Sequence, residues 1–215
     1  MEKIQGVIFD LDGVIVSTDD CHYRAWKRMA DEEGIYFDRT INERLRGVSR
    51  MDSLAIILER AEKNYSDEEK QQMAARKNAY YVELIGALTG EDILPGAMNV
   101  LCWLKENGVK IAVGSSSRNT PIILKQIGLE GYFDAVADGN QITRSKPDPE
   151  VFLLAAKLLG LEASRCMVVE DADAGVEAAL AGGMRVLGVG SAKDNKKATY
   201  RAENLEKVDI ENIIG

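Results

Sequence analysis

The stretch Ile4-Gln5-Gly6-Val7-Ile8-Phe9-Asp10-Leu11-Asp12-Gly13-Val14 decides the fold. Its first part, Ile4 to Phe9, is a β-rich apolar run, and it ends abruptly in two aspartates. Comparable runs follow at Val109 to Val113, Ala135 to Ala137, Cys166 to Val169 and Val186 to Val189. Helical segments separate them and stop at glycines such as Gly108, Gly128, Gly160 and Gly182. Short continuous apolar strands alternating with helices predict a parallel sheet covered on both faces. The expected class is α/β, a doubly wound, Rossmann-like parallel sheet.

Between the first and second runs the punctuation changes. All 4 prolines, Pro95, Pro121, Pro147 and Pro149, come later, so the first part of the chain can be mostly helical. From Asp19 to Glu33 apolar and aromatic residues recur at helical spacing up to Gly34, a helix stop. Ser49 to Asp52 reads as a capping box opening a helix through Ile56, Ile57 and Leu58. Ser66 to Glu69 reads as a second box, opening a long helix through Met73, Lys77, Tyr81 and Leu84 that ends near Gly86. Residues 17–90 are therefore expected to form a helical cap inserted after the first strand, and residues 1–16 with 91–215 the catalytic α/β core. No internal repeat or low-complexity tract interrupts either.

Composition narrows the function. The 215 residues are 46% hydrophobic and 29% charged, enough apolar content for an ordinary globular core. With 27 Lys and Arg against 35 Asp and Glu, the net charge of −8 repels nucleic-acid backbone and anionic lipid, and no basic run offsets it. No nucleic-acid or membrane partner is expected. No stretch has the length of uncharged apolar residues that a membrane span needs. The 3 cysteines, Cys21, Cys102 and Cys166, are far apart and lack metal-ligand spacing. They suit a reducing, cytoplasmic compartment and no zinc or disulfide framework.

In an open parallel sheet the site lies beyond the carboxyl ends of the strands. There the first strand runs into Asp10-Leu11-Asp12-Gly13, the second into Gly114-Ser115-Ser116-Ser117-Arg118-Asn119, and the fourth into Glu170-Asp171. The connection after the third strand carries Ser145-Lys146-Pro147-Asp148-Pro149. Carboxylates gathered this closely repel one another unless a cation neutralises them, and oxygen-only ligation suits Mg2+. A phosphorylated substrate fits such a crevice. The cation, Lys146, the Ser115 hydroxyl and backbone N–H groups at a helix start would together stabilise a transferring phosphoryl group. One aspartate would act as covalent nucleophile and another as general acid/base. Structural readings stand beside these: strand-end caps for Asp10 and Asp12, a helix N-cap for Glu170-Asp171, a plain turn for Ser115 to Asn119, and a solvated loop lysine for Lys146.

DxDGV at Asp10 to Val14, the Ser115 motif, Lys146 and Glu170-Asp171, in that order, resemble the haloacid dehalogenase-like superfamily, and the resemblance covers essentially the whole chain. It implies the haloacid dehalogenase type of fold, with Asp10 as the nucleophile that forms an aspartyl phosphate and Asp12 as general acid/base. It assigns Ser115 and Lys146 to phosphate binding and charge balance. It further implies that Asp10, the Asp12 carbonyl, Glu170 and Asp171 hold Mg2+. An aspartate at position 12 points to transfer of phosphoryl groups to or from oxygen, since the superfamily's dehalogenases and phosphonatases lack it.

In the cap, His22 lies four residues before Trp26 on one helix face, which by pattern is a packing residue or a functional one. Lys77 interrupts an apolar stripe, and snorkelling is its plain reading. Gly47-Val48-Ser49-Arg50 sets a guanidinium beside a capped helix N-terminus that would bind a second phosphate or a sugar. His22 and Trp26, then Arg46-Gly47-Val48-Ser49-Arg50 with Ser53, then Arg76-Lys77-Asn78, resemble the cap of the β-phosphoglucomutase family. Ser117, Arg118 and Asn119 match the core loop that, with Arg50, holds the distal phosphate in that family, and Ser116 beside them is a further candidate for substrate binding. Ser17 and Arg118 depart from the pattern, standing where aspartate and lysine occur.

The expected activity is then that of a phosphoryl-transfer isomerase. It would interconvert β-D-glucose 1-phosphate and glucose 6-phosphate through an aspartyl-phosphate enzyme and glucose 1,6-bisphosphate, as a monomer acting on a small-molecule sugar phosphate. The alternatives are a Mg2+-dependent sugar phosphatase with the same nucleophile, and a non-catalytic sugar-phosphate-binding protein. Two phosphate-binding clusters favour the mutase over the phosphatase, and intact Asp10 and Asp12 weigh against the binding protein.

Overall fold

The computed structural model describes residues 2–45 and 48–214. In chain order its main elements are β1 (Gly6–Phe9), α1 (Asp19–Glu32), α2 (Arg39–Glu43), α3 (Arg50–Leu58), α4 (Asp67–Ile85) and α5 (Ala97–Glu106). There follow β2 (Lys110–Gly114), α6 (Thr120–Gln126), β3 (Ala135–Ala137), α7 (Glu150–Leu159), β4 (Cys166–Glu170), α8 (Asp173–Ala181), β5 (Arg185–Gly188), β6 (Tyr200–Arg201) and α9 (Ile210–Ile214). They form two compact units, Met1–Ser17 with Thr89–Gly215, and Thr18–Leu88.

The first unit is an α/β fold on a six-stranded sheet of order β3-β2-β1-β4-β5-β6, parallel throughout. β1 lies between β2 and β4, with Phe9 beside Val113 on one side and Val169 on the other. Ile8, Ala112, Val168 and Val186 share a cluster with Val151, Phe152 and Ala155 of α7 and Val176 and Ala179 of α8. Val7, Phe9, Ile111, Val113, Met167, Val169 and Leu187 alternate with them and are equally buried, so the other face is covered too. This is why the strands read as unbroken apolar runs. The chain first winds outward through β2 and β3, then returns to the far side of β1 to begin β4. That reversal puts the topological switch point at β1 and β4, where a crevice opens beyond the strand ends.

The second unit is helical. Trp26, Met29 and Ala30 of α1 pack with Leu54 and Ile57 of α3, Met73 and Ala74 of α4, and Ile35, Phe37, Ile41, Leu45 and Tyr65 around them. The Ser66 box forms in full: the Ser66 side chain accepts from the Glu69 amide, and the Glu69 carboxylate accepts from the Ser66 amide at 2.7 Å. At α3 the Ser49 hydroxyl accepts from the Asp52 amide at 3.2 Å and donates to the Asp52 carboxylate at 2.6 Å. Among the described residues, no helix is long and apolar enough to cross a membrane.

Some short elements lie outside the expectations. α2 and β6 were not foreseen, because five and two residues show no usable periodicity. α8 stops where expected: it ends at Ala181, Gly182 is its cap with φ −78°, and Gly183 follows in the left-handed region at φ +74°.

Candidate active site

Asp10 is the first residue beyond β1, and Glu170 closes β4, so the parallel register brings them together at the switch point. Lys146 reaches them from the connection between β3 and α7. Its Nζ donates to Asp10 Oδ1 at 2.7 Å and to Glu170 Oε1 at 2.6 Å, and it sits 4.6 Å from the centre of the Phe152 ring. With 6% of its side chain exposed, Lys146 is not a solvated loop lysine. Burial by itself lowers its pKa, but the two carboxylates more than reverse this and hold the ammonium charged.

One lysine does not balance the negative charge gathered here. Burial, then Asp10, Glu170 and Asp12, push the Asp171 carboxyl up to about 8. Burial and Asp10 likewise raise Glu170 against the pull of Lys146. Ligand oxygens of Asp10, Glu170 and Asp171 all lie within 4.8 Å of one another. Hard oxygen donors that resist ionising together are what a divalent cation satisfies, so these residues fit a metal.

Glycines make room for this crowding. After β1 the chain turns tightly: the Gly13 amide donates to the Val16 carbonyl at 2.7 Å, and the Ile15 and Val16 amides to that of Leu11. Gly13 takes φ +82°, and a side chain there would run into the Asp171 carboxylate.

β2 delivers the hydroxyl cluster beside β1. The buried Ser115 donates its amide to the Ala137 carbonyl at 3.0 Å, and its hydroxyl accepts from the Ser117 amide at 3.2 Å. The Ser117 hydroxyl accepts in turn from the Asn119 amide at 3.2 Å. This stretch is therefore a turn, tied to the segment after β3 by Arg118 Nε donating to the Gly139 carbonyl and Asn140 donating to that of Arg118. Within it the Ser116 hydroxyl is buried and, among the described residues, finds no hydrogen-bond partner.

In the helical unit His22 and Lys77 meet. Lys77 Nζ lies 2.9 Å from His22 Nδ1 and 4.7 Å from the ring centres of both Trp26 and Tyr81. The His22 ring lies 4.1 Å from that of Tyr81, whose hydroxyl pairs with Thr18 at 2.9 Å. Lys77 does not snorkel; it is buried. An ammonium only donates, so Nδ1 of His22 accepts and its ring hydrogen is on Nε2. Burial, Lys77 and Arg50 hold the imidazole pKa well below the ordinary value, which keeps it neutral. Arg50 opens α3, half-buried; Ser53 is buried on the same helix and Val48 is exposed just before it. Arg46 and Gly47 lie outside the described residues. Arg76, next to Lys77 in sequence, instead pairs with Glu33 and with Glu32 at 3.4 Å, joining α4 to the end of α1.

Two contributors were not singled out from sequence. Glu150, the first residue of α7, accepts from the Thr143 and Arg144 amides at 3.0 and 2.9 Å and so clamps the loop that carries Lys146. Gly175, in the first turn of α8, lies against the Glu170 carboxylate. An acidic residue after a Pro-x-Pro stretch and a glycine inside a helix are the signals that could have found them.

Comparison with known proteins agrees with this geometry. The model of the haloacid dehalogenase-like hydrolase family matches residues 4–183. The chain is 46% identical over 189 residues to the β-phosphoglucomutase of Bacillus subtilis, spanning 87% of this chain and 84% of that one. It is 30% identical over 215 residues to a phosphorylated carbohydrates phosphatase of Thermotoga maritima, covering 98% and 97% of the two chains. The crystal structure of β-phosphoglucomutase from Clostridium difficile superposes with a TM-score of 0.91 at 42% identity, over 98% of this chain and 95% of that one. The chain is an enzyme, and it belongs to the haloacid dehalogenase-like hydrolase family.

Proposed function

We propose that this enzyme interconverts β-D-glucose 1-phosphate and glucose 6-phosphate by phosphoryl transfer through Asp10. The observation that carries phosphoryl transfer is the buried cluster in which Lys146 bridges Asp10 and Glu170 while Asp171 is still pushed up to about 8. Such a site is short of positive charge on one side and holds an ammonium on the other, which suits it to a cation and a phosphate dianion together. Identity of 46% to the Bacillus mutase, against 30% to the Thermotoga phosphatase, favours isomerisation.

In this reading an Asp10 carboxylate oxygen attacks phosphorus, the bond from phosphorus to its donor oxygen breaks, and an aspartyl phosphate forms. Asp12 takes the proton of the sugar hydroxyl that next attacks this phosphate, and returns it to the departing oxygen in the reverse step. Lys146 and the Ser115 hydroxyl neutralise and orient the phosphoryl oxygens. Asp10, the Asp12 carbonyl, Glu170 and Asp171 would hold Mg2+, which when bound would lower the repulsion between carboxylates and phosphate. Neutral His22, with Trp26, Ser53 and Lys77, contacts the sugar through its Nε2 hydrogen. Arg50, Gly47 and Val48 are assigned to the phosphate that is not reacting, as are Ser116 to Asn119, and the Ser116 hydroxyl, which finds no partner among the described residues, supports this. The reading is of a monomer in the cytoplasm, and cysteines at 21, 102 and 166 that form no disulfide with one another suit a reducing compartment.

The test supplies Mg2+, β-glucose 1-phosphate and a trace of glucose 1,6-bisphosphate, and follows glucose 6-phosphate and inorganic phosphate together. Glucose 6-phosphate in large excess is the expected result. Inorganic phosphate as the main product would move the assignment to a sugar phosphatase, the reading that the Thermotoga relative favours.

A further inference from the structure

We propose that Gly175 is a positioning residue for the metal-binding carboxylates: its lack of a side chain lets Glu170 reach Lys146 and face a divalent cation together with Asp10 and Asp171. This rests on the cation reading given above. Glu170 ends β4, and the chain turns at once into α8, whose first turn folds back over the carboxylate. A Cβ on Gly175 would overlap Oε1 and Cδ of Glu170 and come within 2.6 Å of its Cγ. A glutamate on the surface would swing aside. Glu170 is only 1% exposed, and its two oxygens are both engaged, Oε1 by Lys146 at 2.6 Å and Oε2 by the Ala172 amide at 2.8 Å. Making room for a methyl group therefore breaks a charge-assisted hydrogen bond inside the cluster.

The backbone does not ask for glycine at this position. Gly175 is helical and is not among the glycines with positive φ. Alanine is the better helix former, so a purely structural view expects Gly175→Ala to be tolerated or mildly stabilising. The requirement comes from the carboxylate alone. Gly13 stands in the same relation to Asp171, but its φ of +82° would strain any side chain, so only Gly175 separates the two causes.

The experiment measures Mg2+ binding by calorimetry and Mn2+ binding by electron paramagnetic resonance on the full chain. It compares wild type, Gly175→Ala, Glu170→Asp and the double variant. Gly175→Ala is expected to weaken both ions by about 10- to 100-fold, the usual effect of disturbing a group that orients a ligand. In the Glu170→Asp background, where the carboxylate is one methylene shorter, the same substitution is expected to cost less than about threefold. A Gly175→Ala chain that fails to fold while the double variant folds would show the same collision and support the proposal. Unchanged affinity in Gly175→Ala, an equal loss in both backgrounds, or failure of both variants to fold would overturn it. Wild-type protein that binds neither ion would remove the cation reading itself, and with it this role for Gly175, without reference to any variant.

Discussion

Two lysines are buried in this molecule, and their surroundings differ. Lys146 meets two carboxylates at 2.7 and 2.6 Å, whereas Lys77 meets an imidazole at 2.9 Å and the faces of Trp26 and Tyr81. In the first case opposite full charges face each other in a low-dielectric setting, so removing the cation strands its partners. In the second, the imidazole and the two rings met at these distances are uncharged and polarise toward the ammonium, so removing the lysine strands no charge among them. The difference teaches what each lysine does. Lys146 sets the charge of the carboxylate cluster, while Lys77 sets the tautomer and neutrality of His22.

The largest expected effect lies on the charged side. Asp10→Asn removes the anionic nucleophile and should lower turnover by on the order of 10⁴ or more. Glucose 6-phosphate production gives the rate, and intact-protein mass spectrometry after brief exposure to substrate should show a phosphoryl adduct in wild type alone. Substantial turnover by the variant would end the case for covalent catalysis at Asp10.

Next comes the direct contrast. Lys146→Met should cost about 3–5 kcal/mol of stability at neutral pH, because Asp10 and Glu170 are left buried and uncompensated. Lys77→Met should cost about 1–3 kcal/mol, the loss of a hydrogen bond and of cation–π contact. Urea unfolding of both variants checks this, and equal losses would break the comparison.

Saturating cation should act on the same cluster. Mg2+ at a hundred times its Kd should raise the unfolding free energy of chelator-treated wild type by about 2.7 kcal/mol. Denaturant melts with and without Mg2+ decide it; superimposable curves would mean that the carboxylates are neutralised in some other way.

The smallest effect concerns pH and His22. Its folded pKa is depressed, so between the ordinary value of 6.5 and that lower value the unfolded chain binds a proton that the native chain does not. The His22 contribution to stability therefore falls as pH drops below about 6.5, with a slope reaching about 1.4 kcal/mol per pH unit, against the opposite slope of Asp171, whose raised carboxyl holds a proton in the native chain over the same range. His22 is the chain's sole histidine, so wild type should lose stability relative to His22→Gln as pH falls through this window. Parallel curves for the two proteins between pH 7.5 and 5.5 would show that the imidazole is not held neutral.

Much of this was legible in advance where the information is local. Apolar runs ending in Asp10 and Asp12 and in Glu170 and Asp171 mark strand ends, because a strand buried on both faces tolerates no charge within it. The Ser66 box announces α4, because a cap needs only four residues. By contrast β6 and α2 are too short for any periodicity, two and five residues.

From sequence alone came the α/β class, the helical insertion after the first strand and the polar residues gathered at the strand ends, all set by interactions within a few residues. Which groups share Lys146 was decided only by the tertiary structure, since its partners lie 136 and 24 residues away. The same holds for the burial of Lys77 against His22, 55 residues apart, for the diversion of Arg76 to Glu33, and for Gly175 beneath Glu170. The physical reason is that each of these depends on which groups exclude water from one another. Burial sets the strength and direction of every electrostatic interaction in the site, and it exists only once the sheet and the helices have closed.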